Sequence, residues 1–222
     1  MRTLLALTLA LGLASAASAQ TTFGLRAGLN VSDLTGFDEG ELDGAESQPS
    51  LGLVAGAFAE LPLSERIAVR PEVLYSQKGF KVTERETFEG SVAELEVDYN
   101  LDYVEVPILL RVGTPLSPTL DAGLLIGPAL AFKVNESFDI DATVDGVEVE
   151  LEEEDIDLDG DVFESFDLGL AVGAEIGSGP FYVGLRYTPG LLDVNKNEED
   201  DPSAPTIRNS VFSVTGTFKF GR

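Results

Sequence analysis

Between residues 23 and 31 every odd position is apolar, while the even ones are Gly24, Arg26, Gly28 and Asn30. A repeat of two marks a β-strand, whose successive side chains point to opposite faces. The same alternation returns at 51–61, 67–78, 101–112, 120–134, 166–176, 181–190 and 210–220, which predicts eight strands. Most reach the roughly 9–11 residues that a tilted strand needs to cross a bilayer.

The connectors sort by length. Those at 62–65, 114–118 and 178–180 are short, and those at 32–50, 79–100, 135–165 and 191–209 are long. Strict alternation of tight turns with long loops is the pattern of an up-and-down transmembrane barrel, with short periplasmic turns and longer outer loops. An even strand count places both termini at the periplasmic end. A soluble β-sandwich would also alternate, but it would turn its polar face outward and need not sort its connectors.

The character of the two faces separates these architectures. In 120–134 one face carries Leu120, Leu124, Ile126, Leu130, Phe132 and Val134, and the other Asp121, Gly123, Gly127, Ala129, Ala131 and Lys133. The second face is too small and glycine-rich for a solvated surface, and it suits the crowded interior of a narrow barrel. Gly24 and Gly28, Gly52 and Gly56, Gly123 and Gly127, and Gly169 and Gly173 each lie four apart on that same face. Glycine weakens a strand interior unless a bend or a close approach requires it. Two aromatic girdles are expected: Phe23, Phe181, Phe218 and Phe220 at the periplasmic interface, and Tyr75, Phe132, Phe166, Tyr187 and Phe212 at the outer one. The expected fold is all-β, an eight-stranded antiparallel transmembrane β-barrel.

What precedes the first strand reads as a cleaved signal peptide over 1–19. Arg2 supplies a basic start, residues 4–13 an apolar run, and Ala17-Ser18-Ala19 a small-residue cleavage box. The barrel domain then covers 20–222.

Composition removes most chemistry. The chain has neither cysteine nor histidine. Disulfides, thiol nucleophiles, His-dependent triads and histidine-based zinc sites are therefore excluded. A formal charge of -25 disfavours nucleic acid.

The charges divide between two places. On the small-residue face lie Arg26, Arg70, Lys78, Arg111, Lys133, Arg186 and Lys219, with Glu60, Glu72, Glu105, Asp121, Asp167 and Glu175. Charges inside a narrow barrel must be paired or hydrated, so an interior salt-bridge network that plugs the lumen is expected. Of the 39 acidic residues, 31 fall in the four long connectors. Asp155, Asp157, Asp159 and Asp161 resemble the opening of a calcium loop, but Phe166 stands where its bidentate Glu belongs. A specific calcium site is thus the weaker reading of this run, and a solvated acidic surface that collects cations diffusely is the stronger. No other cofactor is expected.

Several segments resemble the PorT-like outer-membrane β-barrel proteins. They are Phe23-Gly24-Leu25-Arg26-Ala27-Gly28-Leu29-Asn30, then residues 70–79 and 101–110, Gly123-x-x-x-Gly127-Pro128, and Gly184-Leu185-Arg186-Tyr187. The resemblance covers essentially the whole mature chain and implies outer-membrane localisation in a Gram-negative envelope. Lipid and the barrel-assembly machinery are the implied partners, the latter reading a terminal aromatic. Here Gly221-Arg222 follows Phe220, a departure from that signal. Some members of that family are linked to protein secretion.

Four functions compete: a closed structural or surface-interaction barrel, with an extracellular ligand or protein partner left open, a channel for small solutes or ions, a barrel hydrolase or acyltransferase, and a soluble ligand carrier. The absence of histidine ranks the enzyme last. The carrier needs an apolar lumen, which a charged face does not supply.

Overall fold

A computed structural model describes residues 21–35, 45–88, 90–149, 163–194 and 206–220. The signal segment 1–19 and the residues Asp155, Asp157, Asp159 and Asp161 lie outside the described residues.

Nine strands are described: β1 (Thr22–Thr35), β2 (Ala45–Pro62), β3 (Ile67–Phe88), β4 (Ser91–Pro115), β5 (Leu120–Val144), β6 (Val147–Val149), β7 (Phe166–Ser178), β8 (Phe181–Pro189) and β9 (Arg208–Phe220). Eight of them close a ring. Each pairs antiparallel with its neighbours, β5 with both β4 and β7, and the first strand closes on the last from Phe23↔Phe220 to Thr35↔Arg208. Closure removes the free edges that an open sheet would present. β6 flanks β5 outside the ring.

The wall is apolar outward. Leu124 is 66% exposed and Ile126 49%, whereas Leu125 between them is buried. Val172, Val183 and Val214 share the outer face. The aromatics form two bands on that wall. Phe181 and Phe218 are in ring contact at 5.1 Å, and Phe218 and Phe220 at 5.0 Å. At the other end Phe132 meets Phe166 at 5.4 Å, and Tyr187 faces Phe212 across β8 and β9. Ile126→Arg is expected to destabilise the barrel by about 2–4 kcal/mol if it sits near the midplane. Urea unfolding in lipid vesicles reads this directly, and a shift below about 1 kcal/mol would place Ile126 away from the hydrocarbon.

Inside, two glycines allow the strands to coil closely. A Cβ on Gly28 would lie 2.0 Å from the Val214 carbonyl oxygen, and one on Gly56 would lie 2.1 Å from that of Val73. At such contacts the neighbouring backbone itself would have to move, so no side chain is tolerated without shifting the ladder.

Three of the long connectors differ from expectation. Within 32–50, β1 continues to Thr35 and β2 already begins at Ala45, pairing with β3 from Ala45↔Glu84 to Pro49↔Phe80. Residues 79–100 are not a loop: β3 and β4 continue as a projecting hairpin to Phe88↔Ser91. Within 135–165, β5 continues to Val144 and turns at Asp145 and Gly146, both at positive φ, into β6. An Asp-Gly pair with that geometry is the turn that best matches strand twist. Two features hid these extensions. Val134 is an extra residue in β5, since Asp102 pairs with Asn135 but Tyr103 with Lys133. Such a bulge shifts the side-chain phase by one. In addition, polarity reverses beyond the wall: Glu94, Glu96 and Asp98 continue the outward phase of Val104 and Val106, while Leu95, Val97 and Tyr99 continue the inward phase of Glu105. Outward residues there meet water instead of lipid.

Candidate functional site

The lumen is built from one residue in two on each strand. At the periplasmic end Glu175 gathers three cations. Arg70 on β3 gives it two hydrogen bonds of 2.7 Å, from Nη1 and Nη2. Arg111 on β4 gives one from Nε at 2.7 Å, and Lys219 on β9 lies at 3.4 Å. Glu60 on β2 completes the group, 2.5 Å from Arg70 Nη2 and 3.2 Å from Lys219 Nζ. Arg111 also reaches Asp121 at 2.7 Å. Arg70 is 1% exposed and stacks over the Phe58 ring at 4.6 Å. Lys219 sits 3.9 Å over the Tyr182 ring.

One level further in, Arg186 on β8 grips Glu72 on β3 with two bonds of 2.8 and 2.9 Å. Such parallel bonding is the strongest geometry an arginine–carboxylate pair can take. Arg26 on β1 approaches the same carboxylate at 3.4 Å. Above them lies a neutral layer that the charge pattern did not single out. Asn30 donates to Ser76 Oγ at 2.9 Å and accepts from Ser213 Oγ at 2.8 Å.

Toward the outer end Lys78 lies 2.6 Å from Glu105 and 3.9 Å from Asp167, with the Tyr103 ring beneath it at 4.5 Å. Asn209 donates to Asp167 at 2.9 Å. Lys133 pairs with Glu136 and donates to the Phe163 carbonyl at 2.6 Å. Glu136 escapes a simple reading of the period, which puts it in a loop. The bulge at Val134 brings it onto the same face as Lys133. Of the thirteen charges named from the sequence, twelve thus occupy three neighbouring groups, and the thirteenth, Lys133, forms a fourth with Glu136. Including Glu136, seven cations face seven carboxylates.

The mouth above these charges is sealed by apolar side chains. Leu34, Phe80, Leu101, Tyr103, Ala131, Phe163, Val194 and Ile207 form one buried cluster. Phe163 meets Phe80 and Tyr99 edge-on at 5.6 and 6.0 Å. Its segment is tied down through the backbone. Glu164 N–H donates to the Val194 carbonyl at 3.0 Å, and Val194 N–H to that of Ile207 at 2.9 Å. The sequence signal for this cap is slight: isolated apolar residues at the edges of acidic connectors.

Below, the periplasmic mouth holds a cavity of about 380 Å³ lined by Glu60, Arg111, Asp121, Tyr182 and Lys219, all already engaged with one another. Among the described residues no group of His, Cys, Asp or Glu is placed to hold a metal ion. On the projecting hairpin Lys81 bonds Glu96 at 2.7 Å and lies 3.1 Å from Asp98. These hydrogen bonds, Glu96 first, raise its pKa above the ordinary lysine value.

The family model for the outer membrane protein beta-barrel domain matches residues 16–196. No curated protein matches the chain. Among solved structures it is similar to Neisserial surface protein A, at 15% identity over 89% of this chain and 97% of that one, with a TM-score of 0.43. OprG from Pseudomonas aeruginosa gives 14% identity, 90% and 96% coverage and a TM-score of 0.43. Ail of Yersinia pestis, solved with the heparin analogue sucrose octasulfate, gives 9%, 90%, 99% and 0.38. The closed ring of eight strands, its apolar wall and a family match over most of its length lead to one conclusion: the chain belongs to the outer-membrane protein β-barrel domain family and resides in the outer membrane.

Proposed function

We propose that this protein is a closed, non-catalytic barrel that acts through its extracellular surface. The observation that supports this is the double obstruction of the lumen, charge-paired from Glu60 to Lys78 and capped by apolar side chains around Phe163. An eight-stranded barrel has room for little beyond its own side chains. Glu72, Glu105 and Glu175 are clamped by guanidinium and ammonium groups, which leaves none of the three free to act as a base, and the chain has no histidine or cysteine. In planar bilayers the purified barrel is expected to give no large, steady conductance. Stable channels of porin size would overturn this reading. Kinship with the PorT-like branch rests on the segments at 70–79 and 101–110, and it makes an accessory role in protein secretion the alternative. Loss of extracellular proteins from a deletion strain would favour that alternative.

A further inference from the structure

The projecting sheet has two faces of opposite character, and among the described residues its edge at β6 has no pairing strand. Its inner face runs across three strands in register: on β4 and β5 Leu95 pairs with Ala142, Val97 with Ile140 and Tyr99 with Phe138, and on β3 Val82 pairs with Val97 and Phe80 with Tyr99. β6 extends it, because Val144 pairs with Val147 and Ala142 with Val149. The cap around Phe163 covers only its base. Farther out Val144, Val147 and Val149 remain exposed, Val147 by 67%. The opposite face is acidic. Asp98 stands directly across from Asp139, and Glu96 from Asp141, like-charge pairs that destabilise a sheet when uncompensated. Lys81 serves Glu96 and Asp98 on the β3 side. On β6, Glu148 pairs with Thr143 and continues the acidic face.

β6 ends the sheet, and among the described residues no strand pairs with its outer side. Every second residue of an edge strand turns its backbone N–H and C=O outward. An extended peptide can satisfy those groups by adding a strand, with alternate side chains choosing between the faces. The charge of the molecule sets what those side chains must be. The lumen network is neutral, so the chain's formal -25 lies almost wholly outside it. A partner strand must be apolar on one face and cationic on the other.

We propose that β6 docks an extended segment of an extracellular protein or peptide in which lysines or arginines alternate with apolar residues. Its apolar side chains lie beside Val147 and Val149, and its cations beside Glu148, on the acidic face that Asp141 and Asp139 continue one strand further in. This rests on the reading of the protein as a surface-interaction barrel.

The test uses the full mature barrel in nanodiscs and calorimetry with synthetic peptides. A short alternating Lys-Val peptide is expected to bind, and its Glu-Val counterpart is not. The double variant Val147→Asn/Val149→Asn is expected to weaken the Lys-Val peptide by about tenfold, two cross-strand contacts being lost. Oligolysine of the same length is expected to bind more weakly and to ignore that variant. Heat-modifiable gel mobility confirms that the variant folds, as β6 lies outside the ring. Equal binding of oligolysine would reduce the effect to a diffuse acidic field and overturn the proposal. So would unchanged binding by the variant, or no binding at all. Self-association abolished by the same variant would put a second copy on this edge, which also overturns it. Conductance of the same preparation is read separately. A barrel that stays closed but binds no peptide sinks only the docking site, whereas a conducting barrel that binds sinks only the closed lumen.

Discussion

Glu175→Ala is expected to cost the barrel about 3–5 kcal/mol, the loss typical of removing one partner from a buried ion pair. Glu175 is buried and accepts hydrogen bonds from Arg70 and Arg111, with Lys219 close by. Without it those three cations share Glu60 and Asp121. Taking a charge out of water is tolerable only when its partners stay in place. An exposed pair is the contrast. Arg85→Ala removes a bond to Glu94 at 2.5 Å on the projecting hairpin and is expected to cost less than about 1 kcal/mol. Both are read from the urea midpoint of folding into vesicles, provided the slope stays constant. A loss near that of Arg85→Ala for Glu175→Ala would show that water enters the lumen and screens its charges.

The second large effect concerns the cap. Phe163→Ala removes the ring that joins Phe80 and Tyr99, and truncating a buried phenylalanine costs about 3–5 kcal/mol in a well-packed core. The cap joins three segments that are far apart in sequence, so the loss is expected as local opening. Amide exchange at Glu164 and Val194, whose N–H groups hold the segments together, is expected to accelerate by about a hundredfold, equivalent to about 3 kcal/mol. The Leu25 and Val214 amides in the wall are expected to remain protected. Conductance is expected to stay absent, because the charge network lies beneath. Unchanged exchange at Glu164 would mean that Phe163 does not hold the cap, and a steady current would mean that the cap alone closes the lumen.

Much of the barrel is legible in the order of residues. Arg26 between Leu25 and Ala27, or Arg70 beside Val69, declares its side of the wall by parity alone, because a strand has a period of two and lipid tolerates no charge on its side. The strand count and the sorting of connectors follow from the same repeat. Parity fails where the backbone departs from it. The single extra residue at Val134 puts Glu136, expected in a connector, on the Lys133 side, where unbroken parity would have turned it outward, and beyond the wall water replaces lipid, so polar residues change faces.

Alternation along the chain specifies the architecture, the two sides of the wall and the set of residues that must neutralise one another inside. The tertiary structure alone decided the pairs. Arg70 meets Glu175, 105 residues away, and Asn30 meets Ser213, because the stagger of strands around a closed ring brings them to one level. The cap likewise exists through Phe163, Val194 and Ile207 converging from separate connectors. Periodicity states which way a side chain points, a local property of the backbone. What it meets across the lumen depends on the register and tilt of every strand between, which no single segment encodes.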